Sequence, residues 1–277
     1  MIDQGFDLSE KEFLLFKQLI YHETGINMSD KKKKLIVARL SKRLRVLDLK
    51  NFTEYYEYLK DSPYADNEIV NLINRVTTNK TDFFREKHHF DFLQNELFPQ
   101  MIARSRSGGP KKLRIWSAGC SSGEEPYTLA MVTLESFKAE RGWDVKILAT
   151  DLDTEILGKA ITGIYPTQLV GPVPREYLVK YFIRKGDQYE VNGTVKSLVA
   201  FRKLNLMDET FPMKNPFDII FCRNVIIYFD AITKDTLLTK YHRHLKDNGH
   251  MFIGHSESLM HMKEKFRYLK HTIYQKV

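Results

Sequence analysis

The run LRIWSAGCSSGEEPY, from Leu113 to Tyr127, constrains the fold more than any other stretch of the chain. Residues 113–117 read as a short apolar strand. Gly119 and Gly123 bracket Cys120, Ser121 and Ser122, and Glu124, Glu125 and Pro126 follow. Tyr127, Leu129, Ala130, Met131, Val132 and Leu134 then give a helical apolar pattern. Strand, glycine loop and helix form the first half of a βαβ unit, which commits the chain to a parallel sheet covered by helices. Ligands bind such sheets at the carboxyl ends of the strands, where glycine lets backbone come close.

Two carboxylates at this turn suit a pyrophosphate poorly. They suit a cationic or hydroxylated ligand, because they accept hydrogen bonds from ammonium and hydroxyl groups. That favours S-adenosylmethionine over a nicotinamide dinucleotide. Glu124 and Glu125 would also favour a helix N-terminus electrostatically, ligand or none. Residues 145–150 are apolar and β-branched and end at Asp151, placed to hold ribose hydroxyls. Asp151 or Asp153 could instead cap a helix at 154–162. Asp151, nearer the strand end, is assigned to the ribose and Asp153 to the cap. FRKLNL (201–206) ends a strand with Asn205, whose amide could read an adenine edge. FDIIFC (217–222) is a buried strand with Arg223 and Asn224 at its carboxyl end. Residues 225–229 then form an apolar wall containing Tyr228, which could equally be a half-buried aromatic with a hydroxyl to satisfy.

At 277 residues the chain exceeds one ordinary domain, and 43% hydrophobic content excludes disordered and fibrous classes. No stretch approaches the roughly twenty apolar residues that span a bilayer, and the N-terminus lacks the pattern of a signal peptide. Cys120 and Cys222 are the only cysteines. Both fall beside the proposed ligand loops, where a disulfide would obstruct, so a reduced, cytoplasmic state is expected. Cys120 as a nucleophile is a weak reading, because the sequence places no histidine near it. The histidines are not spaced for a metal, and none is expected.

Residues 1–78 differ from the rest. Phe13, Phe16, Leu19 and Ile20 recur at helical spacing, as do Leu35, Val37, Leu40, Leu44 and Leu47. Phe52, Tyr55, Tyr56 and Leu59 follow, then Ile69, Leu72, Ile73 and Val76. A small domain of about four helices is expected, the second capped by Ser29 or Asp30. Between positions 31 and 50, nine bases are opposed only by Asp48. With the apolar stripe inward, Lys32, Arg39 and Arg43 share an outer face. That face would attract an acidic surface or a phosphate backbone, or be merely solvated. The net charge of +8 and pI of 9.2 leave RNA open as a substrate. No aromatic strip accompanies the lysines, and nucleic acid is not the expected partner.

Residues 79–112 read as a connecting helix (90–102) and a Ser/Gly/Pro linker (104–112), and 113–277 as the ligand-binding domain. Asn192-Gly193, between strand-like runs 188–191 and 194–198, signals a hairpin. A small antiparallel β insertion is therefore expected at about 183–200. Residues 266–276 read as a last strand pair, antiparallel at the sheet edge.

TTNKTDFFREKHH (77–89), the glycine loop, ILATDLD (147–153), FDIIFCRNVIIYF (217–229) and GHSES (254–258) occur in this order. Over nearly the whole chain this set resembles the chemotaxis receptor glutamate O-methyltransferases, the CheR family. The resemblance implies an α/β architecture: an all-α domain, then a Rossmann-like class I methyltransferase domain with a small antiparallel β insertion. It implies S-adenosylmethionine as co-substrate, held by residues matching Asn79, Thr81, Arg85, Glu125, Asp151, Asn205, Leu206, Arg223 and Asn224. Tyr228 matches a tyrosine close to the transferred methyl, and Arg85 is expected to position the reacting carboxylate. The implied substrate is a glutamate side chain on the helical cytoplasmic part of a chemoreceptor, met by the basic helix of a monomeric enzyme. Some members also dock a receptor C-terminal peptide on the β insertion. Here RKGDQYEV (184–191) is short beside the loop of those members. An RNA or small-molecule methyltransferase, or a non-catalytic S-adenosylmethionine sensor, are the rival readings.

Overall fold

A computed structural model describes residues 5–277. Four helices open it: α1 (Glu10–Thr24), α2 (Lys33–Val46), α3 (Phe52–Asp61) and α4 (Ala65–Val76). Ser9 starts α1 with a reciprocal cap. Its hydroxyl accepts the Glu12 N–H, and the Glu12 carboxylate accepts the Ser9 N–H. Phe13, Phe16, Ile20, Ile36, Leu40, Leu44, Phe52, Tyr55 and Leu72 form the core between the helices.

The second helix departs from expectation. Asp30–Lys32 is a single 3-10 turn without a side-chain cap from Ser29, and Asp30 pairs with Lys17. Ile36, not Leu35 or Val37, joins Leu40 and Leu44 in the buried stripe. The expected outer face of Lys32, Arg39 and Arg43 is not formed. Arg43 grips both oxygens of Glu68 on α4, at 2.8 and 2.5 Å, and Tyr55 donates to the same carboxylate. Arg39 donates to the carbonyls of Val76 and Thr77, satisfying the end of α4. Long bases turn inward when tertiary structure brings partners that the local sequence does not contain. The exposed bases of this segment are Lys31, Lys34, Lys42, Arg45 and Lys50.

The connecting helix runs as α5 (His88–Phe92), a π-helical turn (Leu93–Leu97) and α6 (Phe98–Arg106). The π turn precedes Pro99, which has no N–H to give the preceding turn. The helix thus extends past 102, and the irregular linker is only 107–111.

Ten strands follow among the described residues: β1 (Lys112–Ala118), β2 (Asp144–Asp151), β3 (Ile164–Pro166), β4 (Phe182–Lys185), β5 (Gln188–Val191), β6 (Val199–Lys203), β7 (Phe217–Cys222), β8 (Leu245–Ile253), β9 (Phe266–Lys270) and β10 (Ile273–Lys276). The main sheet has the order β6-β2-β1-β7-β8-β10-β9. Its first five strands are parallel, and β10 and β9 close one edge antiparallel. Alternation sorts the central strands between two cores. Leu113, Ile115, Ile219 and Phe221 join one, and Trp116, Ala118, Ile220 and Cys222 the other. Helices α7 (Glu124–Ser136), α8 (Thr154–Thr162), α9 (Arg175–Tyr181), α10 (Gly193–Lys196) and α11 (Ala231–His244) complete the fold.

The β insertion is real but differently built. Strands β3, β5 and β4 form their own antiparallel sheet, with the hairpin turn at Gly186-Asp187. Asn192-Gly193 opens α10 instead, the Asn192 side chain capping the Val195 N–H. Asparagine serves an N-cap as readily as a turn, and the turn signal did not discriminate. Val199 already belongs to the main sheet.

Candidate active site at the carboxyl edge of the sheet

Strand β1 lies between β2 and β7, so the connections leaving β1 and β7 diverge and open a crevice above their carboxyl ends. A cavity open to solvent occupies it. Asn79, Thr81, Arg85, Glu125, Asp151, Asn205, Leu206, Arg223, Asn224 and Tyr228 all line this one cavity. Thr24, Ile26, Thr77, Ser121, Val225 and Phe229 line it as well. Of these six, only Thr24 and Ile26 lie outside the segments that the sequence marks as ligand loops. Thr24 and Ile26 come from the all-α domain, where nothing in the local pattern marks a ligand site.

The glycine loop is shaped by close approach. Gly119 has φ +77°, and a Cβ there would lie 2.4 Å from Val225 Cγ2. Gly119 and Cys120 N–H both donate to the Thr150 carbonyl at the end of β2. Asp151 accepts the Ser121 N–H at 2.8 Å and the Asp153 N–H at 3.0 Å. Burial pushes the Asp151 carboxyl above its ordinary value, while these amides pull it back. Asp153 caps α8, as assigned. It also accepts from the Thr77 hydroxyl and the Asn79 amide, so the Asn79 donor is used within the protein.

A buried ion chain fixes the other wall. Glu125 accepts from Ser117 Oγ at 2.6 Å and from Arg223 Nε at 2.7 Å. Arg223 Nη1 donates to the Arg85 carbonyl at 2.6 Å, and its guanidinium lies near the Phe90 and Phe221 rings. Arg223 therefore ties residues 79–89 to the end of β7. The Arg85 guanidinium donates to the Lys80 carbonyl. His89 sits behind the pair, with Nε2 2.8 Å from the His271 carbonyl. Burial and the Arg223 charge lower it to about 3, so it is neutral. Glu86, His88 and His89 bring possible metal-ligand atoms within 4.8 Å of one another. Arg223 Nη1, however, stands 3.3 Å from His89 Nδ1 and 3.7 Å from Glu86 Oε2, where its charge would repel a metal ion.

Asn205 donates to the Glu23 carbonyl of α1, which fastens the all-α domain to the cavity rim. The same domain roofs the site. Asn27 N–H donates to the Tyr228 carbonyl at 2.8 Å, and the Lys32 ammonium lies 5.3 Å from the Tyr228 ring centre. Asn224 has left-handed backbone, φ +59°, and its side-chain oxygen is buried without a partner. An orphaned acceptor on a cavity wall fits a ligand that brings its own N–H donors. Asp151 as an acceptor for hydroxyl groups and a close-approach glycine loop complete the fit to S-adenosylmethionine. Cys120 is buried, and its thiol is pushed well above the ordinary range by burial, Asp151 and Glu125. It is therefore inert, and the nucleophile reading is excluded. Both cysteines are free.

Fold and site together define an S-adenosylmethionine-dependent methyltransferase. Residues 79–275 match the family described as CheR methyltransferase, SAM binding domain, and residues 11–77 match its all-alpha domain. A chemotaxis protein methyltransferase of Borreliella burgdorferi is 42% identical over 274 residues, covering 98% of this chain and 96% of the relative. One from Escherichia coli K12 is 39% identical over 272 residues, covering 96% and 91%. The chain belongs to the CheR methyltransferase family. Among the described residues, no helix is long and apolar enough to cross a membrane.

Proposed function

We propose that this enzyme transfers a methyl group from S-adenosylmethionine to glutamate side chains on the cytoplasmic helical part of chemotaxis receptors, giving methyl esters. It does so in the cytoplasm, as a monomer. The observation that carries this reading is Lys32 over the Tyr228 ring. The basic segment at the start of α2 begins at the cavity mouth. An acidic helix lying along Lys31, Lys34 and Lys42 would therefore bring its carboxylates to the site. The relatives' description as chemotaxis protein methyltransferases supports the same substrate.

S-adenosylmethionine, when bound, supplies a methyl group on a sulfonium leaving group. Asp151 would hold its hydroxyls and the Asn224 oxygen one of its N–H groups. Glu125 and Arg223 neutralise each other and keep that wall rigid. A glutamate with a pKa near ~4.3 is already ionised at neutral pH, so the chain need not remove a proton. What remains for the protein is alignment, which contributes on the order of 7–11 kcal/mol in well-oriented systems. The union of carboxylate and sulfonium cancels charge and is favoured where water is excluded. The Tyr228 ring and the roof from the all-α domain narrow its access to the cavity. Arg85 orients the incoming carboxylate. Its bond to the Lys80 carbonyl limits how tightly it can pair and so how far it would blunt the nucleophile.

Incubation with methyl-labelled S-adenosylmethionine and receptor-bearing membranes tests the assignment. Label released as methanol by alkali is expected. Label recovered in RNA, with none in a base-labile protein ester, overturns it.

A further inference from the structure

The GHSES segment (254–258) leaves the carboxyl end of β8. We propose that Glu257 within it is a positioning residue for the S-adenosylmethionine site, acting by holding the Asn224–Tyr228 loop in its ligand-ready shape.

Glu257 is 7% exposed, and no lysine or arginine forms an ion pair with it among the described residues. Its carboxylate instead collects backbone amides. Oε2 accepts Asn224 N–H at 3.0 Å and Gly254 N–H at 2.6 Å, and Oε1 accepts Ile227 N–H at 3.2 Å. Two of these donors belong to the loop that follows β7. That loop carries Asn224, whose left-handed backbone is costly for a residue with a Cβ. It ends in the short turn Ile226–Tyr228. A side-chain carboxylate here does what a bound anion does in a nest of N–H groups. Burial holds its pKa above the ordinary carboxylate value, and the three amides offset part of that rise.

Gly254 supports the same arrangement from the backbone side. A Cβ there would lie 2.5 Å from Asn224 Nδ2 and 2.9 Å from Asn224 N, so the two segments pack backbone to backbone. His255 extends the brace to the opposite wall, its Nδ1 lying 2.9 Å from Glu86 Oε1. Glu257 touches no cavity-lining side chain through its carboxylate. It sets where Asn224 and Tyr228 stand.

The test compares Glu257→Gln with wild type by calorimetric titration of S-adenosylmethionine and its demethylated product. Glutamine keeps the size but turns an NH₂ group toward an N–H donor. A tenfold or greater rise in Kd for both ligands is expected, with a fall in kcat at saturating S-adenosylmethionine. In amide NMR spectra the Asn224, Ile227 and Gly254 resonances should lose their charge-assisted downfield position while amides of the all-α domain stay put. Ser256→Ala, at an exposed neighbour, should bind as wild type. Kd and kcat within twofold of wild type in folded Glu257→Gln overturn the proposal. If that variant does not fold, Glu257→Asp decides, because it keeps the charge but draws the carboxylate back by one methylene from the three amides. Unchanged ligand affinity there also overturns it.

Discussion

The Lys32 ammonium stands over the Tyr228 ring at 5.3 Å, joining a base of the all-α domain to an aromatic of the sheet domain. The Asn27 N–H to Tyr228 carbonyl bond fixes the same junction. The two family-matched regions thus build one cavity, and Lys32, just before α2, stands beside Tyr228 on its wall.

Neutralising that base should therefore affect the protein substrate more than the co-substrate. Lys32→Met is expected to raise the apparent KM for receptor membranes about three- to tenfold at low salt. That is the order of a partly exposed charge contact, ~1 kcal/mol. Affinity for S-adenosylmethionine should stay within a factor of two. Reversal of Lys31, Lys34 and Lys42 should add a loss of encounter rate that salt also produces in wild type, since screening shortens to about 8 Å at physiological ionic strength. Steady-state kinetics at two ionic strengths check both. An unchanged KM in the Lys32 and triple variants would reduce the basic segment to a solvated face.

Arg43 should behave differently from its neighbours on α2. It is held by Glu68, which is 3% exposed and also bonded to Tyr55 and Asn71. Arg43→Ala leaves a buried carboxylate without its cation, a loss on the order of 3 kcal/mol. Urea unfolding should show this destabilisation. Activity of the folded fraction on receptor membranes should be nearly unchanged.

The contrast between Arg43 and the glycine loop explains what the chain disclosed in advance. The loop, Asp151 and Arg223-Asn224 were legible because a parallel sheet gathers its strand ends at one edge whatever the details. Residues read one strand at a time therefore met in one cavity. Arg39, Arg43 and Asn192 were misread because their partners are decided by tertiary packing. Glu68 and the α4 carbonyls capture the two arginines, and a helix start captures the asparagine. Thr24 and Ile26 carried no signal, since small and apolar side chains at a helix end look the same whether they face a core or a ligand.

Asp151→Asn should weaken S-adenosylmethionine binding roughly tenfold to a hundredfold. A hydrogen bond to a charged group contributes about 1.5–3 kcal/mol, and each 1.4 kcal/mol is a factor of ten. The variant keeps an oxygen for the Ser121 or Asp153 amide, so the fold should persist. Calorimetry reads the effect, and equal affinity in the variant would remove Asp151 from the ribose role.

Stability should fall on acidification well before the carboxylates titrate. His89 is lowered to about 3 and His250 to about 4, in both cases first by burial. The unfolded chain, with histidine near 6.5, binds more protons than the folded one between those values. Their contribution is therefore complete above about pH 6.5 and is lost as pH falls toward 4 and then 3. The slope is up to about 1.4 kcal/mol per pH unit for each histidine. Urea midpoints at pH 7.5 and 5.0 measure it. Replacing His250 with glutamine should flatten the dependence, and a slope unchanged in that variant would assign the loss to other groups.

The rate of methyl transfer itself should not follow this titration. The proposed nucleophile is a carboxylate that is ionised above its own pKa of ~4.3, and no proton has to leave it for the ester bond to form. Of the histidines near the site, His89 is neutral throughout the physiological range. His255 is turned to Glu86 at 2.9 Å, on the far side of Arg223 from Glu125. Single-turnover rates with saturating receptor substrate should thus be flat from about pH 6.5 to 8.5, and should decline only where the substrate glutamate takes up a proton. A tenfold rise per pH unit through neutrality would mean that a base is needed. Loss of that rise in His255→Ala would then assign the base to His255, and with it a mechanism in which ionisation of the substrate is not enough.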